Sequence, residues 1–230
     1  MTTGAVVLAE MLEAYEVSHV FHVPAVVRRT MVEIEARTGI KRIRPHGEKP
    51  AAYMADGYAR ASGRPGVCMA QVIGALNLAA GLRDAYLAHS PVIAMTGGRD
   101  PSTKFRKVYQ ENDDVPAFDP VTKFNATIDS VERIPDMLRQ AFRVATTGAP
   151  GPVHLQFRGN EGQIDLEEAE MDARVEVQFA SGPPDRPLLG RGPPQASGSA
   201  RHGGRLAGRN HLFFRHLRLS NRLARGMPLE

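Results

Sequence analysis

In "GAVVLAEMLEAYEV" the apolar positions Val7, Leu8, Met11, Leu12 and Tyr15 recur at three- and four-residue spacing, which predicts one buried stripe along a helix. The next apolar run, "HVFHV", is short, rich in β-branched and aromatic residues, and closed by Pro24, which predicts a strand. The alternation then repeats. A helix is expected from Val26 to Arg37, a strand from Ile40 to Ile43, a helix opened by Glu48, and the strand "GVCMA". A helix across "ALNLAAGLRDAYLA", the strand "PVIAMTGG", a long polar loop, the strand "VTKFNATI", a helix from Val131 to Thr146 and the strand "GPVHLQF" complete it. Strands separated by helical segments predict an α/β fold, a doubly wound parallel sheet flanked by helices. Ligands bind such sheets beyond the carboxyl ends of the strands. The segments expected there are "VPA", "PHGE", "QVIGALN" and "GGRDPSTKFRKVYQEND".

The pattern changes near Ala180. The last 50 residues hold 8 Gly, 6 Pro and 9 Arg, with no Lys, Val or Ile, too little periodic apolar material for a core. Three stretches are therefore expected: a domain over 1–165, a linker over 166–180, and a mostly disordered Arg/Gly/Pro-rich tail over 181–230. The net charge of +4 divides the same way. Residues 1–180 carry 20 Lys and Arg against 23 Asp and Glu, whereas 181–230 carry 9 Arg against 2 acids. The basicity belongs to the tail. Arg, Gly, Pro, Ala and Ser have GC-rich codons, so a truncated or frameshifted reading of a GC-rich gene is expected to produce such text. The alternative is a genuine basic tail for an acidic partner, but only Phe213 and Phe214 could stack on bases, so nucleic acid is not the expected partner.

Other classes recede on similar grounds. The single cysteine, Cys68, cannot form an internal disulfide, and the first 16 residues lack a secretory signal, which together predict a soluble, cytoplasmic protein. The most apolar window, "GVCMAQVIGALNLAAGL", is broken by Gln71 and Asn77 and falls short of the roughly 20 residues that span a bilayer, so no membrane role is expected. His22, His46 and His89 share no metal-ligand spacing, and no metal site is expected. Tyr53, Met54 and Tyr58 read as core or subunit-interface packing, and Asp56 and Arg60 as an i, i+4 pair.

One residue asks for more. Glu48 places a carboxylate at the start of a helix otherwise built for burial, and the helix dipole alone is a sufficient explanation for that. Its surroundings supply another. "VFHVPA", "EKPAAYMADGYARASGRPGV", "NLAAGLRDAYLAHSPVIAMTG", "YQENDDVPAFDPVTKFNATI" and "GAPGPVHLQF" occur in the same order as motifs of thiamine-diphosphate enzymes. Residues 1 to about 165 resemble the N-terminal, pyrimidine-binding domain of that family, most closely acetolactate synthase-like carboligases.

The resemblance implies thiamine diphosphate as cofactor and a 2-keto acid as substrate. It implies that Glu48 hydrogen-bonds the aminopyrimidine and stabilises the tautomer that deprotonates the thiazolium carbon. Gln110, on the loop after the fourth strand, corresponds to an active-site glutamine. Pro24, Ala25, Gly74 and Asn77 join Glu48 as expected cofactor contacts. Mg2+ would enter only through a diphosphate-binding domain that this sequence lacks, so the chain alone is expected to be inactive. A flavin is compatible with the family, but no residue supports one. The expected partner is a second copy or a separate diphosphate-domain chain, the latter as in split two-chain decarboxylases. A non-catalytic interaction protein using the basic tail is the remaining alternative. Departures fall at ligand-facing positions: "QVIGALN" replaces "GPGATN", with side chains at Val72, Ile73 and Leu76, and "HVPA" replaces "GVPG". These side chains are expected to narrow or reshape the pocket.

Overall fold

The computed structural model describes residues 2–24, 27–98, 104–108 and 110–157, together with the backbone of 174–175. The chain opens with the two-residue strand β1 (Thr2–Thr3) and helix α1 (Gly4–Ala14), which is capped by Thr3 Oγ1 accepting from the Val6 amide at 3.3 Å. Then follow β2 (His19–His22), α2 (Arg28–Arg37), β3 (Lys41–Ile43), α3 (Glu48–Ser62), β4 (Gly66–Ala70) and α4 (Ala75–Leu87). The second half contributes β5 (Val92–Gly97), β6 (Phe124–Ile128), α5 (Ile134–Thr146), β7 (Val153–Phe157) and β8 (Arg174–Val175). The short β1 and β8 pair antiparallel, so the stretch read as a linker contains one strand. The tail over 181–230 lies outside the described residues.

The other six strands form one sheet in the order β3-β2-β4-β5-β7-β6, parallel at every pairing. The alternation of helix and strand legible in the sequence is the alternation of the fold. Two cores cover the two faces. On one, α1, α2 and α5 bury Leu8, Leu12, Ile34, Leu138 and Phe142 against Val20, Val67, Met69, Ile93 and Met95. On the other, α3 and α4 pack Ala51, Ala52, Ala55, Leu78 and Leu82 against Cys68, Ala70 and Ala94. Alternate residues of β4 and β5 point to opposite faces, as a sheet buried on both sides requires.

The second face is built from small residues, and its closeness can be read from two glycines. A Cβ on Gly66 would lie 2.1 Å from the Ala55 carbonyl oxygen, and one on Gly81 would lie 2.7 Å from the Ala52 Cβ and 2.8 Å from the Lys49 carbonyl oxygen. Backbone therefore meets helix directly, holding α3 against both β4 and α4. This contact fixes where the first turn of α3 sits.

Two local departures from the expected elements have physical reasons. The strand expected over "VTKFNATI" begins only at Phe124, because Val115–Val121 forms a 3₁₀ turn in which Pro116 and Pro120 lack the amide donors a ladder needs. The helix expected from Val131 starts with a 3₁₀ turn, Val131–Arg133, before α5. Tyr58 is partly buried, donating or accepting at 2.6 Å from Ser18 Oγ and tilted against Phe21, but Tyr53 and Met54 stay exposed and do not join the core. The expected Asp56–Arg60 pair forms, with two hydrogen bonds of 2.8 and 2.7 Å.

Candidate functional site

The strand order reverses between β2 and its neighbours: the chain runs from β2 outward to β3, then returns across β2 to β4. A crevice opens at such a switch point, beyond the carboxyl ends of the strands. Gln71 and the 3₁₀ turn Val72–Gly74 leave β4 there and lead into α4. The N-terminus of α3 arrives beside them. Gly47, its N-cap, is extended and makes no side-chain cap, so Glu48 is the acidic group of the first turn.

Glu48 is half-buried and directed onto the turn after β4. Its Oε2 accepts from Asn77 Nδ2 at 3.3 Å. A Cβ on Gly74 would fall 2.5 Å from its Cγ and 2.6 Å from its Cδ and Oε1, so the carboxylate occupies the space that glycine leaves. Asn77 itself is exposed, and the pair opens to solvent in the single chain. Three of the residues singled out from the sequence, Glu48, Gly74 and Asn77, are thus in direct contact.

Gln110 reaches the same turn by another route. Its side-chain Oε1 accepts from Gln71 Nε2 at 3.3 Å, although the two residues are 39 apart in sequence. The residue has a left-handed backbone, φ 59°, as do Phe105 and Lys107. Glu111 holds this segment in shape, accepting from the Phe105 amide and, at 3.0 Å, from the Val108 amide. Asp114 begins the following turn, buried, with Oδ2 lacking a partner, and desolvation raises its carboxyl above the ordinary range. Gln71, Glu111 and Asp114 were not singled out from the sequence. Gln71 alone had a usable signal, its place directly after a strand at a switch point.

The remaining expected contacts separate. Pro24 follows β2 and lines a cavity that Glu48 does not line. Ala25 lies outside the described residues. Of the side chains that replace the family's small loop residues, Val72 turns inward and is buried, while Ile73 and Leu76 face outward. His22, at the end of β2, is buried with Nδ1 unpartnered, and desolvation lowers its pKa. Cys68 is fully buried and desolvation pushes its thiol up, away from reactivity.

Residues 2–118 match the thiamine pyrophosphate enzyme family's N-terminal TPP binding domain. The chain belongs to that family. Among similar proteins, one assigned as an acetolactate synthase large subunit in Methanocaldococcus jannaschii is 38% identical over 177 residues, covering 76% of this chain and 30% of that protein. The chloroplastic acetolactate synthase of Arabidopsis thaliana is 38% identical over 152 residues, covering 65% of this chain and 23% of that protein. The chain thus spans less than a third of the length of these curated relatives. A solved structure from Mycobacterium smegmatis, assigned as a thiamin diphosphate-dependent enzyme, shares the fold with a TM-score of 0.66 at 23% identity, covering 77% of this chain and 33% of that one.

The residues of this TPP-binding domain fit the pyrimidine end of the cofactor. A carboxylate steadied by an amide and set against bare backbone at Gly74 offers a ring nitrogen one acceptor, without side-chain bulk beneath it. Among the described residues no group of three or more His, Cys, Asp or Glu could hold a metal ion. Among the same residues no helix is long and apolar enough to cross a membrane.

Proposed function

We propose that this chain supplies the pyrimidine-binding half of a thiamine diphosphate site in an acetolactate synthase-like enzyme acting on 2-keto acids. The observation that carries the reading is the Glu48 carboxylate, held by Asn77 over Gly74 at the switch point of the sheet. When bound, the cofactor supplies an electron sink and a carbon nucleophile toward a keto acid. Glu48 would hold the ring nitrogen, its carboxylate sharing a proton there. Asn77 donates to the Glu48 carboxylate, and Gly74 leaves the space in which that carboxylate sits. Gln110, tethered to Gln71, presents an amide from the loop after β5 toward the same crevice.

The half-site character is supported by exposure. Asn77 is open to solvent, and α3, α4 and the turn between β4 and α4 expose Tyr53, Met54, Ile73, Leu76, Tyr86 and Leu87. Large apolar side chains in such number on one pair of helices suit a partner surface. That partner is a second copy or a separate chain carrying the diphosphate and Mg2+ site, and this chain alone turns over no substrate. Domain limits of 1–165 and 181–230 go with this reading. The test is pyruvate consumption by the purified chain with thiamine diphosphate and Mg2+. No turnover is expected; sustained turnover would overturn the half-site reading.

A further inference from the structure

A second feature lies apart from the Glu48 crevice and goes beyond the function proposed above. β3 is the outermost strand of the sheet, and its Arg42 reaches across to Met31 and Glu35 of α2. Between them runs a cavity of about 620 Å³, extending from Gly39, before β3, to Pro24 and Arg44, beyond the ends of β2 and β3. Its size is that of a site for a metabolite-sized ligand, several times larger than a single ion.

The walls are strongly cationic. Arg28, Arg42 and Arg44 line it against a single acid, Glu35. Arg42 is already engaged, with Nη2 2.6 Å from Glu35 Oε2 and Nη1 donating to the Met31 carbonyl at 3.4 Å. Glu35 is therefore spent on one arginine, and among the described residues no ion pair or hydrogen bond is assigned to the exposed guanidinium of Arg44. The first turn of α2 opens on the same side with no side-chain cap and no acidic residue, so its dipole adds to the positive potential. Val27, its N-cap, sits in the left-handed region at φ 38°, a conformation that a β-branched residue adopts only when its surroundings enforce it. His22, also on the wall, is 6% exposed and leaves Nδ1 without a partner. Met31 and Ile40 supply apolar floor.

Charge of one sign gathered around a concave, partly apolar space focuses potential and selects an anion. We propose that this cavity binds a metabolite-sized anion whose carboxylate or phosphate group is held by Arg44 and Arg42, with its body against Met31 and Ile40. Nothing in the chemistry of the Glu48 site requires it, so the proposal stands or falls separately.

The test titrates the full chain with inorganic phosphate and, separately, with citrate, at constant ionic strength, followed by amide chemical shifts. Saturable binding of at least one anion is expected, with shifts concentrated between residues 22 and 44 and none at Gly74 or Asn77. Arg44→Gln, at an exposed position, is expected to weaken binding roughly tenfold, the effect of losing one charge-assisted hydrogen bond, with an unchanged melting temperature. Phosphate binding without citrate binding assigns a phosphate ligand, and the reverse assigns a carboxylate. Absence of saturable binding by both anions, or affinity indifferent to Arg44→Gln, overturns the proposal.

Discussion

His154 gives the sharpest prediction about how this domain is held together. It lies on β7, between β5 and the edge strand β6, fully buried, with its ring stacked on Phe118 at 3.5 Å between centroids and 5° between planes. Asn125 Nδ2 donates to the Val115 carbonyl at 2.6 Å and to Asp119 at 2.9 Å, which leaves Asn125 Oδ1 facing His154 Nδ1 at 2.6 Å. Nδ1 therefore carries the proton, and Nε2 accepts from Thr96 Oγ1 at 2.7 Å. Both ring nitrogens are satisfied in the neutral form, and it is burial, which penalises the charged ring, that depresses the pKa to about 3. In the unfolded chain the same group takes up a proton near the ordinary histidine value of 6.5. Below that pH the unfolded state binds more protons than the folded one, so stability is fully present above about 6.5 and is lost as pH falls toward 3. Each pH unit inside this window costs about 1.4 kcal/mol, so descent from pH 7 to 4.5 removes roughly 2–3 kcal/mol through this one residue. The assay is urea denaturation followed by circular dichroism at several pH values, for the wild type and for His154→Gln. The variant is expected to start less stable at pH 7 but to lose about 2–3 kcal/mol less on acidification. Equal pH slopes for the two proteins, or an imidazole that titrates near 6.5 in the folded state, would refute the argument.

Other consequences concern the crevice and the packing that positions it. Gly74→Ala keeps an ordinary backbone, φ −89°, but drives a Cβ into the Glu48 side chain; because Glu48 can swing outward, stability should change by less than about 1 kcal/mol while cofactor-induced shifts at Asn77 disappear. Retained shifts would show that the carboxylate need not sit over residue 74. Gly66→Ala, by contrast, meets the Ala55 carbonyl, which cannot swing away, and should cost about 3 kcal/mol in denaturant titration. A loss below about 1 kcal/mol would mean that α3 is not held by this contact.

The sheet was legible because each helix and strand carries its own periodicity: Val67 and Met69 alternate with Cys68 and Ala70, and the residues split cleanly between the two cores. The 3₁₀ turn at Val115–Val121 was not, because Val121 and Thr122 read locally as strand, whereas Pro120 and the stacking of Phe118 on His154 decide otherwise. The family resemblance grouped Pro24, Ala25, Glu48, Gly74 and Asn77; the contact among the last three follows from the closeness of α3 to β4 and α4, whereas Pro24 lines another cavity and Ala25 lies outside the described residues. Gln71 escaped notice because its partner, Gln110, arrives from a distant loop. The cationic cavity escaped too: Arg28, Arg42 and Arg44 look like ordinary surface charges until the fold brings them to the walls of one cavity.

The central claim is that Glu48 marks one half of a cofactor site. Titration of the full chain with thiamine diphosphate and Mg2+, read by amide chemical shifts and repeated with Glu48→Gln, tests it most directly. The account predicts shifts at residues 48, 74 and 77 that saturate only around the millimolar range, for want of contacts to the diphosphate, and that vanish in Glu48→Gln. Micromolar binding would contradict the half-site, and shifts that avoid Glu48 or survive its substitution would contradict the assignment of the site itself.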